Sequence, residues 1–130
     1  MLLSSNEYLE LVENIKREIR NAQYRATVSV NAELLVLYHE IGTEINRHKS
    51  WGSKFIQTLA KDLRIAFPDA TGYSSRNLQY MSQFAGMFSK DEITQVPLAQ
   101  ITWYHHITLM DKVKDHDMHI WCASENALMH

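Results

Sequence analysis

The sequence predicts an all-α fold, a bundle of about six helices in a single domain that spans residues 1–130. Apolar residues recur at intervals of three and four along most of the chain, which is the period of one helix face. Serine and threonine residues stand at capping positions before several of these runs, and no segment reads as a strand. The chain has 130 residues, of which 45% are hydrophobic, enough for one core.

The first half of the chain predicts two helices. The first begins at a capping pair, Ser4 and Glu7, and carries one apolar face: Tyr8, Val12, Ile15, Ile19 and Ala22. The second runs from about Ser29 to His48, and its predicted inward residues are Val30, Leu34, Leu37, Tyr38, Ile41 and Ile45. Gly42 lies inside this helix at a cost of about 1 kcal/mol against alanine, which we interpret as a close helix contact.

Two further helices follow on either side of a turn. The third has Ser53 as its predicted N-cap and ends near Phe67, because the residue before a proline is pushed out of helical geometry. Its predicted buried stripe is Phe55, Ile56, Leu59, Ala60, Leu63 and Phe67. After the turn "PDATGYS", Ser74 caps the fourth helix, whose apolar stripe is Leu78, Met81, Ala85 and Phe88.

The last third of the chain is less regular. Residues 89–102 form a looser connection, in which Ser89 and Glu92 have the spacing to cap a short helical turn. A fifth helix is capped by Thr102, and a sixth begins near Asp115. The end of the chain lacks the glycine or proline that usually follows a helix, which fits either a fragment of a longer protein or a naturally frayed end.

The charges favour a binding surface in the middle of the chain. Residues 45–80 carry six Lys or Arg and two Asp, a net charge of +4, although the whole chain has a net charge of −2. The third and fourth helices, joined by a glycine-bearing turn, lie in this block and resemble a helix-turn-helix, in which the start of the second helix contacts base edges. We predict a nucleic-acid-binding site formed by Ser75, Arg76, Asn77, Gln79, Gln83, Lys49, Lys54, Lys61 and Arg64.

The roles within this site follow from side-chain chemistry. Arginine can form two hydrogen bonds with guanine, and asparagine or glutamine can form two with adenine. The four cations outside the fourth helix, together with Ser75, would hold phosphates. One observation favours an ordinary helix pair instead: about eight residues separate the helices, whereas a compact helix-turn-helix uses three or four.

Other chemistries are not predicted. Seven histidines include His116 and His119 at helical spacing, but no His-Glu-x-x-His or Cys pair accompanies them, so we predict no metal and no cofactor. Cys122 lies beside Trp121 in an apolar run, and no catalytic motif is visible, so this chain is not predicted to be an enzyme. The aromatics Trp51, Tyr73, Tyr80, Trp103, Tyr104 and Trp121 are predicted to be core or core-edge residues.

The segment from Leu34 to Phe88 resembles the N-terminal domain of the bacterial YhcG-like proteins. The matching blocks are Leu37-Tyr38-x-x-Ile41-Gly42, "WGSKFIQTLAKDL" and "GYSSRNLQYMSQF", and "ITWYHHITLM" resembles a later block with a Trp and a His two residues apart. The resemblance covers the chain from about Asn14. It implies a role in binding DNA, through a helix-turn-helix or winged-helix unit, and a PD-(D/E)XK nuclease domain that follows in the longer protein.

The sequence therefore predicts a cytoplasmic DNA-binding module, since a single cysteine and the absence of a signal peptide or a long apolar run fit that compartment. The alternative is a protein–protein interaction module without nucleic-acid binding. In that case the first two helices, both broadly apolar, would form a homodimer interface. The two functions are compatible, because helix-turn-helix proteins often bind as dimers.

Overall fold

A computed structural model describes residues 5–52, 54–94 and 96–128, and all regular secondary structure in these ranges is helical. The elements are α1 (Ser5–Arg47), a 3-10 turn (Lys49–Trp51), α2 (Lys54–Ala66), α3 (Ser75–Met87), α4 (Lys90–Ile93), α5 (Val96–Ala99), α6 (Trp103–Lys112) and α7 (His116–Leu128). The all-α prediction is confirmed. The helix-turn-helix unit within it stays a prediction.

The two helices predicted for the first half are one continuous helix of 43 residues. The predicted break between Ala22 and Ser29 is wrong, because that stretch contains neither glycine nor proline. Its β-branched residues lower helix propensity by only a few tenths of a kcal/mol each. Among the described residues no helix, α1 included, is apolar enough over its length to cross a membrane.

The C-terminal half of α1 packs along α3 through a face that agrees with the predicted one in part: Tyr38 and Ile45 are buried as predicted, and Ile41 is half-buried. The buried residues of α1 are Leu35, Tyr38, His39, Gly42 and Ile45. Three residues predicted to point inward are largely exposed: Val30 at 69%, Leu34 at 36% and Leu37 at 40%. This half of α1 is apolar on more than one side, so periodicity alone identified the side that α3 covers only in part.

Gly42 permits the close approach of α1 and α3, as predicted. A β-carbon at this position would overlap the backbone carbonyl of Met81 and lie 2.9 Å from the β-carbon of Ala85. One turn further along, Asn46 donates a hydrogen bond to the carbonyl oxygen of Ser82 at 3.1 Å and accepts one from its hydroxyl. The register of the two helices is therefore fixed by the close contact at Gly42 and by two hydrogen bonds between Asn46 and Ser82.

The C-terminal half of α1 and the helices α2–α7 form one helical body, and an aromatic cluster fills its centre. The ring of Phe84 lies 5.3 Å from those of Phe88 and Trp103, and Trp103 makes an edge contact with Tyr38 at 4.9 Å. The predicted stripe of α3 is confirmed at Leu78, Met81 and Phe88, which are buried, while Ala85 is half-buried and Phe84, which was not predicted, is fully buried. The α2 stripe is confirmed in part, because Ala60 is buried but Phe67 at its end is 55% exposed. The prediction for the aromatics also fails at three positions, since Trp51, Tyr104 and Trp121 are 59–74% exposed.

The predicted helix caps are confirmed wherever the structure describes them. Ser74 and Thr102 each accept a hydrogen bond from the backbone three residues ahead, and Ser89 forms a complete capping box with Glu92. The predicted caps Ser4 and Ser53 lie outside the described residues. α2 ends at Ala66, two residues before Pro68, as the proline rule requires.

Three histidines are buried in the body. The rings of His106 and His119 stack, with His106 Nδ1 3.0 Å from His119 Nε2, and His106 Nε2 lies 2.8 Å from the carbonyl oxygen of Leu98. Burial lowers the pKa of both rings to about 4. His39 is buried as well, and its ring contacts the carbonyl oxygen of Phe88 at 2.7 Å.

Candidate nucleic-acid interface

The turn between α2 and α3 has the length that the sequence predicted, eight residues from Phe67 to Ser74. It rests against α1, since a β-carbon at Gly72 would lie 2.5 Å from the hydroxyl of Tyr38. At its end the hydroxyl of Ser74 accepts a hydrogen bond from the backbone of Asn77 at 3.1 Å. The start of α3 is therefore held in place from both sides.

Three of the predicted residues form one exposed surface on α3. Arg76, Gln79 and Gln83 are all exposed, and their spacing of three and four places them on the same side of the helix. The buried stripe of Leu78, Met81 and Phe84 lies on the opposite side. We call the surface formed by Arg76, Gln79 and Gln83 the outer face of α3.

The outer face of α3 borders a small polar cavity of about 260 Å³, which Tyr80 and Asp111 complete. Arg76 donates a hydrogen bond to the hydroxyl of Tyr80 at 3.4 Å, and its guanidinium lies 5.7 Å from the centre of that ring. Tyr80 donates in turn to both carboxylate oxygens of Asp111 at 2.9 Å. The hydrogen bond from Tyr80 raises the pKa of Arg76 above the usual arginine value, so the group stays cationic.

Asn77 has a structural role, which conflicts with the predicted base contact. Its side-chain nitrogen donates to the carbonyl oxygen of Gly72 at 2.7 Å, and its side-chain oxygen accepts from the indole nitrogen of Trp103 at 3.0 Å. Both ends of the amide are thus occupied within the body. Asn77 joins the turn before α3 to α6, and we leave it out of the interface proposed below.

The predicted phosphate-binding residues fall into two groups. Lys54, Lys61 and Arg64 are exposed and share one side of α2, because they are separated by seven and three residues. Lys49 lies apart from them in the 3-10 turn, and it too is exposed. Ser75 is half-buried in the first turn of α3, next to Arg76. The structure thus groups three cations on α2 and three polar side chains on the outer face of α3.

Tyr80 and Asp111 were not part of the predicted site. Tyr80 follows Gln79 in the sequence and was predicted to be a core or core-edge residue. Asp111 lies on α6, 31 residues further on, so no local pattern could connect it to Arg76. Its carboxylate adds a negative charge to a surface that the sequence predicted to be polar and positive.

Other kinds of site find little support in the parts of the chain that the structure describes. Within those ranges no group of three or more His, Cys, Asp or Glu side chains is placed to hold a metal ion. Cys122 is a free, half-buried thiol on α7. His116 contacts Glu92 at 2.7 Å and Asp117 at 3.1 Å, and this small surface cluster joins α4 to α7.

Comparisons with known proteins agree with the resemblance seen in the sequence. The chain is 28% identical over 102 residues to the Escherichia coli (strain K12) protein named "Putative nuclease YhcG", an alignment that covers 73% of this chain and 27% of that protein. No solved structure matches the chain significantly. A family model described as the DUF1016 N-terminal domain matches residues 14–129. The chain therefore belongs to the DUF1016 N-terminal domain family, and its predicted identity as a YhcG-like N-terminal domain is confirmed.

Proposed function

We propose that this chain is the DNA-binding module of a protein whose nuclease activity resides in another part of the polypeptide. The outer face of α3 carries the proposal, because it presents an arginine and two glutamines to solvent on one side of a helix. The nuclease part of the proposal comes from the name of the E. coli relative. This chain spans only about a quarter of that protein's length.

The chemistry of the outer face of α3 suits base recognition in the major groove. A helix of 13 residues is about 20 Å long, and the major groove of about 12 Å admits a single helix. Arg76 has the donors for the O6 and N7 atoms of guanine. Gln79 and Gln83 have the donor and acceptor pair for adenine. The body holds this face firmly, because Asn77 and Ser74 fix the start of α3.

The cations of α2 would supply affinity rather than specificity. Lys54, Lys61 and Arg64 form a basic side on the helix that precedes the turn, and contacts from such residues go mostly to phosphates. If these three and Arg76 neutralise about four phosphates, the affinity for duplex DNA should fall by roughly 150-fold between 50 and 200 mM salt. Such a salt dependence would be compatible with the negative net charge of the chain, since only the local field matters.

Asp111 would work against phosphate binding and so limit affinity. Its carboxylate is linked to Arg76 through the hydroxyl of Tyr80. Arg76 is exposed and its hydrogen bond to Tyr80 is long, so the guanidinium can turn to DNA at little cost. Removing the negative charge should therefore strengthen DNA binding.

Fluorescence anisotropy with duplex, single-stranded and branched DNA at two salt concentrations tests the proposal. We expect Arg76→Ala to weaken binding by at least about tenfold, because a bidentate base contact contributes about 1–3 kcal/mol. Asp111→Asn should instead tighten binding by about threefold. A matched control is Arg47→Ala, which removes the same charge from an arginine that pairs with Glu44 on α1.

The outcomes separate recognition by α3 from general attraction to a polyanion. Equal losses in Arg76→Ala and Arg47→Ala would mean that charge alone determines the affinity, and the outer face of α3 would then not be the binding surface. No binding to any of the three DNA forms at low salt would overturn the proposal. The alternative function, protein–protein interaction, involves different side chains, which lie on α1.

A further inference from the structure

The N-terminal half of α1 exposes an apolar stripe that the body does not cover. Its residues are separated by four, three, four, three and four positions, which is the heptad spacing of a coiled-coil seam. Tyr8, Ile15 and Ile19 expose 46–57% of their surface, and the other members are exposed or half-exposed. We call this stripe the outer face of α1; it consists of Tyr8, Val12, Ile15, Ile19, Ala22 and Ala26.

A helix with such a stripe normally gains its stability by burying the stripe. Isolated helices of fewer than about 15 residues are marginal in water, and helices in proteins rely mostly on packing of the apolar face. Local support in this half is modest: Lys16 pairs with Glu13 at 3.4 Å and Arg17 donates to Asn14 at 3.2 Å, both on the surface. We therefore expect the outer face of α1 to pack against a partner.

We propose that the partner is a second copy of this chain, and that the two α1 helices pair antiparallel about a two-fold axis near Arg17. The inference does not depend on DNA binding. It specifies the partner, the orientation and the register of the interface that the sequence predicted only as a homodimer surface.

The sizes of the side chains support this register. With the axis near Arg17, Tyr8 of one copy lies opposite Ala26 of the other, and Val12 opposite Ala22. In the central layers Ile15 meets Ile19. Large residues at one end of the stripe thus face small residues at the other end, so each layer has a more even volume than in a parallel pair, where Tyr8 would face Tyr8 and Ala26 would face Ala26. The antiparallel pair is also self-complementary, as a two-fold interface requires.

The expected affinity follows from the size of the contact. From Tyr8 to Ala26 the helix is about 28 Å long, and pairing over that length buries roughly 1,200 Å² in total, at the lower end of specific interfaces. We therefore expect self-association in the micromolar range rather than an obligate dimer.

Sedimentation velocity of the full 130-residue chain, from about 1 to about 200 μM, tests the pairing. The wild type should shift from monomer to dimer. Ile15→Lys and Ile19→Lys should each weaken the dimer by at least about tenfold, since each places a charge in a central layer. The matched control is Tyr24→Lys, because Tyr24 is 51% exposed on the same helix but lies about 160° around from Tyr8.

A wild-type chain that stays monomeric over this range would overturn the inference, as would a dimer that survives both isoleucine substitutions. Circular dichroism of each variant serves as the control, because unchanged helix content would show that a lost dimer does not reflect a lost fold. Dimer loss in Tyr24→Lys equal to that in Ile15→Lys would also contradict the assignment, because it would point to a different face of α1.

Disulfide cross-linking in a Cys122→Ser background tests the orientation. In the antiparallel pair, a Val12→Cys chain mixed with an Ala22→Cys chain should form a mixed disulfide, and neither variant should cross-link to itself. In a parallel pair each variant would cross-link to itself. The second result would overturn the antiparallel arrangement even if the sedimentation data show a dimer.

Discussion

The two halves of α1 belong to one helix and have opposite surroundings. The C-terminal half buries Leu35, Tyr38 and Ile45 against the body, and its contact with α3 is so close that only glycine fits at position 42. The N-terminal half leaves Tyr8 and Ile19 more than half exposed, although its apolar spacing is the more regular of the two. Regular periodicity therefore marks a surface suited to another helix, and it does not tell whether that helix belongs to the same chain.

The contrast also assigns the two halves different work. The C-terminal half holds the body together and, through Tyr38 and the turn at Gly72, holds the start of α3 in place. The N-terminal half contributes little to the stability of the body, so its sequence is free to suit a partner. Stability measurements on matched substitutions inside and outside the buried half test this difference.

The largest effect is expected at Gly42. Gly42→Ala should lower the free energy of unfolding by about 3 kcal/mol or more, because the added methyl overlaps the backbone of Met81 and neither helix can move away easily. Gly86→Ala is the matched control, since a β-carbon there has no heavy atom within 4 Å and alanine favours helix. Urea denaturation measures both. Similar losses in the two variants would contradict the close contact.

A pair of leucines tests the two halves directly. Leu35→Ala should cost about 3 kcal/mol of stability, because Leu35 is fully buried between α1 and the body. Leu9→Ala should cost less than about 1 kcal/mol, because Leu9 is 58% exposed. Denaturation is followed at low micromolar concentration, where the chain is expected to be a monomer. If Leu9→Ala costs as much as Leu35→Ala, the N-terminal half is packed in solution and the comparison fails.

Acid should destabilise the body through its buried histidines. His106 and His119 have pKa values of about 4 in the folded chain, against about 6.5 when unfolded, so the unfolded chain binds more protons in this interval. Stability should therefore be constant above about pH 6.5 with respect to these rings and fall between pH 6.5 and 4, by about 2–3 kcal/mol for His106. Thermal denaturation over this range measures the loss.

One variant identifies the source of the acid effect. His106→Gln should lower stability at neutral pH but flatten the dependence on pH, because it removes a buried ring whose pKa is lowered by burial. His116 acts in the opposite direction, since hydrogen bonds with Asp117 and Glu92 raise its pKa, and its surface position keeps the effect small. A wild-type stability that is flat from pH 7 to 4 would contradict the buried neutral pair.

The parts of the fold that local chemistry determines could be predicted from the sequence. The caps Ser74, Ser89 and Thr102 and the stop before Pro68 are fixed by hydrogen bonds or steric clashes within a few residues, and all four are confirmed. The inward face of α1 could be predicted only in part: Tyr38 and Ile45 are buried as predicted, but the C-terminal half offers several apolar sides and the choice among them depends on α3. The predicted break in α1 failed for a simpler reason: weak propensity does not end a helix that has no glycine or proline.

The candidate site shows the same division. Arg76, Gln79 and Gln83 could be placed on one exposed side by helical spacing alone. Asn77 could not be excluded, because its partner Trp103 lies 26 residues away in the sequence. Asp111 could not be identified for the same reason, because it lies 31 residues from its partner Tyr80. Hydrogen bonds between residues far apart in the sequence thus determine which polar residues of α3 are free to bind a ligand. Such bonds cannot be predicted from the spacing of residues along one helix.

The most direct test of the account is sedimentation of a fluorescent DNA duplex with the wild type, Arg76→Ala and Ile15→Lys, because it reports DNA binding and self-association together. We expect the wild type to bind the duplex with two chains, Arg76→Ala to bind it much more weakly but still to dimerise, and Ile15→Lys to bind as single chains. If Arg76→Ala sediments with the duplex as the wild type does, the outer face of α3 is not the DNA-binding surface and the central proposal is wrong.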